Sequence, residues 1–360
     1  MAQLALRAPE FYARKGIDLR LGKRVEALDL ASRRVRLEDG SHLDYGWLAL
    51  TMGARCRTLP VPGTDLRGVH MLRTFDDALV VQESLVACRS ACIVGGGFIG
   101  LEVAGTLAAA VAQVCVVESQ PRLLARAFPH FISDYVASAH RQRGVTLELG
   151  RTVRALTGRE GHVEGVVLDD GRVLDCDLVV IGIGVVPNME LAQAAGIACG
   201  DGILVVALGR TSVPNVLAAG DVASMEGGPF RGTSSHARLE SIQAASDGAR
   251  AAASGLVDRP EPVSTVPWFW SDQHDLNFQM AGVPEPGDHA VVRGEFASDR
   301  LTVFYLRGGL VAAAHSVNRP AEHMLARRLI ARGAHIPTDV LADVSADLKP
   351  LSIHPPSDQI

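Results

Sequence analysis

The segment "CIVGGGFIGLEVAGTL", residues 92–107, constrains this chain more than any other feature. It joins an apolar strand-like run to an apolar helix-like run, "LEVAGTLAAAV", through Gly95, Gly97 and Gly100, spaced G-x-G-x-x-G. A second apolar strand, "QVCVVE", then ends at Glu118. The first glycine permits a tight turn, the second lets backbone N–H groups approach a pyrophosphate at the helix N-terminus, and the third lets helix and strand pack closely. Strand, turn, helix, strand is the context this fingerprint requires, and Ile99 falls inside it. Glu118 can accept hydrogen bonds from a ribose 2′-hydroxyl and would repel a 2′-phosphate, so NADH is expected over NADPH. Arg122 and Arg126 lie just beyond and temper that preference, because an arginine accommodates a phosphate.

Such a fingerprint usually opens its domain, yet this one stands more than ninety residues into the chain. An internal repeat gives the reason. "GIDLRLGKRVEALD" at 16–29 and "GVTLELGRTVRALT" at 144–157 share one pattern at an offset of 128 residues. Each is followed by alternating apolar residues around an Asp-Gly turn, Asp39-Gly40 and Asp170-Gly171, which is a strong hairpin signal. Each hairpin leads to an apolar strand ending at glycine, "WLALTMG" at Gly53 and "LVVIGIG" at Gly184. The fingerprint precedes the second copy. Shifted back by the same offset, a first fingerprint falls before Met1, so the sequence reads as two copies of one unit with the opening piece of the first copy upstream. A start site assigned too late, or a chain that binds NADH without flavin, are the alternatives this raises.

Composition narrows the class. The net charge of −5 argues against a nucleic-acid partner, which needs a large basic surplus. "MAQLALRAPEFYARKG" holds no apolar run long enough for a signal peptide, and the apolar stretch 101–117 is broken by Glu102, Gly105, Thr106 and Gln113, so no membrane span is expected. The six cysteines include no C-x-x-C pair and complete no metal site, as suits thiols in a reducing cytoplasm.

Further segments carry a resemblance. "TSVPNVLAAGDVAS" at 211–224, "VVIGIGVVPN", "RLESIQAASDGARAAA" and above all "VPWFWSDQHDLNFQMAG" at 266–282 resemble the FAD-dependent pyridine nucleotide-disulfide oxidoreductases, in their ferredoxin reductase branch of putidaredoxin and rubredoxin reductases. The resemblance covers the whole chain and implies an α/β protein: two Rossmann-like dinucleotide-binding domains, the first truncated at its N-terminus and interrupted by the second, plus a C-terminal α+β domain. On that plan 1–75 with 206–258 is the FAD-binding domain, 76–205 the NADH-binding domain and 259–360 the domain covering the flavin. It implies FAD and NADH as cofactors and an iron–sulfur ferredoxin or rubredoxin as partner. By residue, Gly220 and Asp221 would bind the ribityl chain, Arg57 the FAD phosphate region, and Ile242 would approach the ring through its backbone. Glu102 would face the nicotinamide as a catalytic group, with Gly184 lining its path. Trp270, also expected to be catalytic, and Trp268 would lie close to the isoalloxazine.

The sequence also departs from that family. The first glycine fingerprint, its acidic residue and a lysine beside the flavin would all precede Met1, and the usual "ATG" turn reads Thr51-Met52-Gly53. The missing cysteine pair excludes the disulfide-reducing version of the fold. Trp268, Phe269 and Trp270 alternate as strand residues do, so at least one is expected in the core. Arg327, Arg328 and Arg332 lie on a helical segment, 319–332, read either as a solvated face or as a basic contribution to docking an acidic ferredoxin.

Overall fold

The computed structural model describes residues 5–226, 236–257 and 259–352. Both copies of the repeat are present as folded units. In the first, a short helix α1 (Pro9–Arg14) precedes an antiparallel meander of β1 (Val25–Asp29), β2 (Arg34–Leu37) and β3 (His42–Asp44), turned at Asp39-Gly40, where Gly40 takes φ +79°. Strand β4 (Leu48–Leu50) and strand β5 (Ala54–Cys56) follow.

The second unit contains β6 (Val69–Met71), α2 (Phe75–Ser84), β7 (Ser90–Val94), α3 (Phe98–Ala108), β8 (Gln113–Glu118), α4 (His130–Gln142) and β9 (Val145–Leu149). Its own meander is β10 (Val153–Arg159), β11 (His162–Leu168) and β12 (Val173–Asp175), after which β13 (Leu178–Ile181) re-enters the main sheet. That sheet is wholly parallel in the order β6-β13-β7-β8-β9. A parallel sheet is covered on both faces, and its strands read as continuous apolar runs; β13 is Leu-Val-Val-Ile, all buried. One face carries α3 and α4, and the meander covers the other. There Val153, Leu156 and Val163 pack against Cys92, Val94 and Val117.

The chain then returns to the first unit. Strand β14 (Val185–Pro187) pairs with β5, and α5 (Glu190–Ala194), β15 (Cys199–Gly200) and β16 (Gly202–Val205) lead to β17 (Val216–Ala218), which lies parallel to β4. Strands β18 (Ala223–Glu226) and β19 (His236–Ala237) precede α6 (Ile242–Ser254), whose N-cap Ser241 accepts from the Ala244 amide at 3.0 Å. Such a cap satisfies an otherwise orphaned N–H of the first turn.

The C-terminal part is a five-stranded antiparallel sheet of β20 (Trp268–Gln273), β21 (Leu276–Gly282), β22 (His289–Glu295), β23 (Arg300–Arg307) and β24 (Leu310–Val317), in the order β20-β21-β24-β23-β22. Side chains alternate across it. Leu301, Val303 and Tyr305 join the core formed with α3 and α4, whereas Phe304 and Leu306 face helices α7 (Pro320–Arg332) and α8 (Thr338–Ala342). Helix α7 starts with proline and ends at Gly333 in the left-handed region, the usual asymmetry of helix ends. Helix α3 stops at Ala108, three residues short of the apolar run that foretold it.

Candidate functional site

The order of the parallel sheet reverses direction between β7 and β13, and ligands of such sheets bind beyond the strand ends at that point. Gly95, at φ +115°, follows β7, and a Cβ there would lie 2.4 Å from the Gly182 carbonyl oxygen; at Gly100 a Cβ would lie 2.0 Å from the Gly95 oxygen. Strand ends and helix therefore touch through backbone alone. Gly97 differs: it caps α3, and a Cβ there would meet nothing within 4 Å. That open side, beside the unfilled N–H groups of the helix start and the half-exposed Ile99, fits a pyrophosphate. The three glycines thus stand in three different surroundings.

Glu118 closes β8 against this turn. Its Oε2 accepts from the Gly96 amide at 2.6 Å, and its Oε1 from the Gln120 amide at 2.7 Å. The carboxylate is fixed as an acceptor beside the glycine turn. Of the two nearby arginines, Arg122 is committed internally, donating to Ser133 Oγ at 2.9 Å and to the Ala125 carbonyl at 2.7 Å. Exposed Arg126 extends instead across Gly184. Gly184 itself accepts from the Arg57 amide at 2.9 Å, which joins two residues assigned to different cofactors.

On the flavin side, Gly220 takes φ +79° and turns the chain so that Asp221 faces Arg73, whose guanidinium lies 2.8 Å from its carboxylate. Arg73 was not foreseen; only its position before a Thr-x-x-Asp capping sequence marks it. A small cavity of about 50 Å³ opens beside Gly220, lined by Gly209, Ala219 and Ala244 among others. Ile242 is the first residue of α6 and is 70% exposed. A glycine turn, an acceptor and an open helix start fit the ribityl and ring portion of FAD. Met52, the departure from the family turn, lines a separate apolar hollow with Leu48 and Leu50.

Between the two sides stands β20. Trp268 and Trp270 share one face, ring centres 5.7 Å apart, with Trp270 still 41% exposed. Phe269 points the other way and meets Phe98 of α3 edge-on at 5.0 Å. Phe269 is therefore the core member of the trio. The Trp268 amide donates to Gln243 Oε1 at 2.9 Å, tying β20 to α6, while Ser271 donates to Glu102 Oε1 at 2.6 Å, tying it to α3. Burial lifts the Glu102 carboxyl above its ordinary value and the Ser271 hydroxyl opposes that rise. On α7, Arg327 stacks over the Trp268 ring at 4.6 Å, while Arg328 and Arg332 are exposed.

All six cysteines are free, and burial pushes the Cys115 and Cys176 thiols up to about 12, far from the thiolate form that exchanges disulfides. Among the described residues, no helix is long and apolar enough to cross a membrane.

Fold and site together define a pyridine-nucleotide oxidoreductase built on a duplicated dinucleotide-binding unit. The comparisons give the family. The pyridine nucleotide-disulphide oxidoreductase profile matches residues 6–249 and the reductase C-terminal profile residues 268–352, and the chain belongs to that family. It is 40% identical to rhodocoxin reductase of Rhodococcus erythropolis over 96% of this chain and 80% of that protein. It is 35% identical to putidaredoxin reductase of Pseudomonas putida over 96% of this chain and 82% of that one. Among solved structures, the covalent putidaredoxin reductase–putidaredoxin complex superposes with a TM-score of 0.93 at 35% identity, covering 97% of this chain and 84% of that chain.

Proposed function

We propose that this protein is an NADH-dependent, FAD-type ferredoxin reductase, serving a [2Fe–2S] ferredoxin or rubredoxin of an oxygenase system in the cytoplasm. The observation that carries the reading is β20 itself, tied to Glu102 of the nucleotide unit through Ser271 and to the start of α6 through the Trp268 amide, with Trp270 left exposed on its other face. Relatives named as a rhodocoxin reductase and as a ferredoxin–NAD(+) reductase component, each over 96% of this chain, favour it over a flavin-free remnant.

FAD, when bound, supplies the conversion of a two-electron hydride into single electrons. The chain supplies position and charge. The Gly95–Gly100 turn and the start of α3 hold the NADH pyrophosphate, and Glu118 holds the ribose. In this reading the Glu102 carboxylate would stand beside the nicotinamide and stabilise the positive charge that hydride loss leaves there. Asp221 and Arg57 hold the flavin's ribityl and phosphate portions, the Ile242 backbone its ring. Trp268 and Trp270 cover the ring and exclude water. Arg328 and Arg332, exposed on the helix whose Arg327 stacks over Trp268, add positive potential, which speeds encounter with an acidic partner more than it tightens binding.

The test is NADH-driven reduction of a [2Fe–2S] ferredoxin by the flavin-loaded protein, followed by the loss of ferredoxin absorbance, beside a parallel assay with a small disulfide. Ferredoxin reduction with the disulfide left oxidised is expected; turnover of the disulfide alone would reverse the assignment.

A further inference from the structure

Glu102 is the end of a line of buried polar groups. Ser271 Oγ lies 2.6 Å from Glu102 Oε1, Gln273 Nε2 lies 3.1 Å from Ser271 Oγ, and His140 Nε2 lies 3.0 Å from Gln273 Oε1. His274 Nε2 then lies 3.2 Å from His140 Nδ1. Ser271, Gln273 and His140 are fully buried, whereas His274 is half-buried at the β20–β21 turn. The line crosses three elements, from α4 through β20 to α3. A glycine makes the crossing this close: a Cβ on Gly105 of α3 would lie 2.7 Å from the His274 amide nitrogen.

The amide fixes the direction of every bond. The Gln273 oxygen can only accept, so the His140 proton sits on Nε2, and its bare Nδ1 accepts from His274. The Gln273 nitrogen can only donate, so the Ser271 oxygen accepts from it and the single hydroxyl proton points to Glu102. Each assignment follows from the last. A line of donors pointing one way polarises each successive bond, so the carboxylate at its end receives a stronger hydrogen bond than a lone serine gives.

We infer that Ser271, Gln273 and His140 are positioning residues for the reductase reaction: their oriented hydrogen bonds hold the Glu102 carboxylate ionised and aimed along the α3–β20 seam. This rests on the reading in which Glu102 faces the nicotinamide. Burial agrees with it by pushing His140 down to about 4, which keeps the ring neutral and the line directional at working pH. The charged groups facing the line are Arg143, the C-cap of α4, in contact with Asp275 at 2.6 Å and Asp299 at 2.8 Å, and Asp272 beside Glu102. Arg143 disfavours a second positive charge on either histidine.

The test uses the full-length protein and reads Glu102 directly. Carboxyl carbon NMR gives its titration without nucleotide, with Glu102→Gln supplying the assignment. Ser271→Ala and Gln273→Leu should each move that titration to higher pH, Ser271→Ala further, and Ser271→Thr should restore it. Histidine nitrogen NMR should show His140 as the Nε2–H tautomer, losing that exclusive form in Gln273→Leu. In the flavin-loaded enzyme, Ser271→Ala should slow hydride transfer from NADH about tenfold at pH 7, roughly 1.4 kcal/mol of barrier, with the acid limb of the pH profile displaced upward and NAD⁺ affinity nearly unchanged. A Glu102 titration that ignores both Ser271→Ala and Gln273→Leu would overturn the inference, because a merely structural line changes stability and not this titration. If the titration moves while Glu102→Gln leaves hydride transfer intact, the line orients Glu102 but the nicotinamide reading fails, and with it the positioning role.

Discussion

The Arg73 guanidinium lies 2.8 Å from the Asp221 carboxylate, joining residues 148 positions apart across the flavin side of the site. Both partners are partly exposed, at 42% and 20%, and exposed pairs contribute only about 0–1 kcal/mol to stability. Its use is therefore orientation: Arg73 occupies part of the acceptor surface of Asp221 and sets where the rest points. Arg73→Ala should leave the thermal midpoint of the protein within a few degrees of its original value and yet speed the release of bound FAD. Flavin fluorescence after dilution reads the release. Equal release rates in the two proteins would show that Asp221 needs no orienting partner.

Nucleotide choice depends on one carboxylate. Glu118 is already held by two backbone amides at 2.6 and 2.7 Å, so no reorganisation is needed to receive a ribose. Glu118→Ala should cost NADH about 1.5–3 kcal/mol of binding, the worth of hydrogen bonds to a charged acceptor. NADPH, which meets a like charge at that position, should lose nothing or gain. Titration calorimetry with both nucleotides checks this, and equal affinities for NADH and NADPH in the unmodified protein would remove the role from Glu118.

Much of the fold was legible because it rests on backbone chemistry that sequence displays. Asp39-Gly40 and Asp170-Gly171 announce hairpins, and both units carry a three-stranded meander there. Gly95, Gly97 and Gly100 announce their turn because a side chain at two of them would strike backbone. The pairing of Arg73 with Asp221, and the line from His140 to Glu102, were not legible. They depend on contacts 133 to 169 residues apart along the chain: the motif at 266–282 contains Ser271 and Gln273 but does not show that Glu102 and His140 are their partners, and His140 lies in no motif. Arg327 was read with its neighbours as part of a basic helix face, but the register of α7 turns it onto Trp268 and leaves Arg328 in solvent.

Buried histidines set the response to acid. His315 is enclosed between Tyr305 and Phe128, and burial pushes its imidazole down to about 3; His140 is pushed down to about 4. In the unfolded chain both titrate near 6.5. Below that pH the unfolded state takes up protons that the folded state refuses, so stability is full above about 6.5 and falls as pH falls. Each histidine contributes a slope of about 1.4 kcal/mol per pH unit once well below 6.5. Urea midpoints should therefore begin to drop between pH 7 and 5.5, before carboxylates protonate. His315→Gln should flatten that limb, and an unchanged slope would show that His315 protonates inside the fold.

The two copies of the repeat differ at one strand, and the difference can be read amide by amide. In the second copy β13 has a partner on each side, β6 and β7. Its counterpart β4 pairs with β17 alone among the described residues, the Leu48 amide donating to the Asn215 carbonyl at 2.9 Å. N–H groups alternate sides along a strand, so the intervening Ala49 amide points away from β17, as the exposure of Ala49 agrees. Val25, Leu28, Leu48 and Leu50 line a hollow of about 260 Å³ on that unit, whereas their repeat equivalents Val153, Leu156, Val179 and Ile181 are buried against β7 and β8. An unpaired edge over an apolar hollow is a template for another strand. In the 360-residue polypeptide, hydrogen exchange should be orders of magnitude faster at Ala49 than at Val180 of β13. Supplying a strand–turn–helix–strand segment from a relative, fused ahead of residue 1 or added as a peptide, should slow Ala49 toward the Val180 rate and raise flavin retention with it. An Ala49 amide already as protected as Val180 would mean that the edge is covered, and protection without any gain in flavin would separate the pairing of β4 from the flavin site.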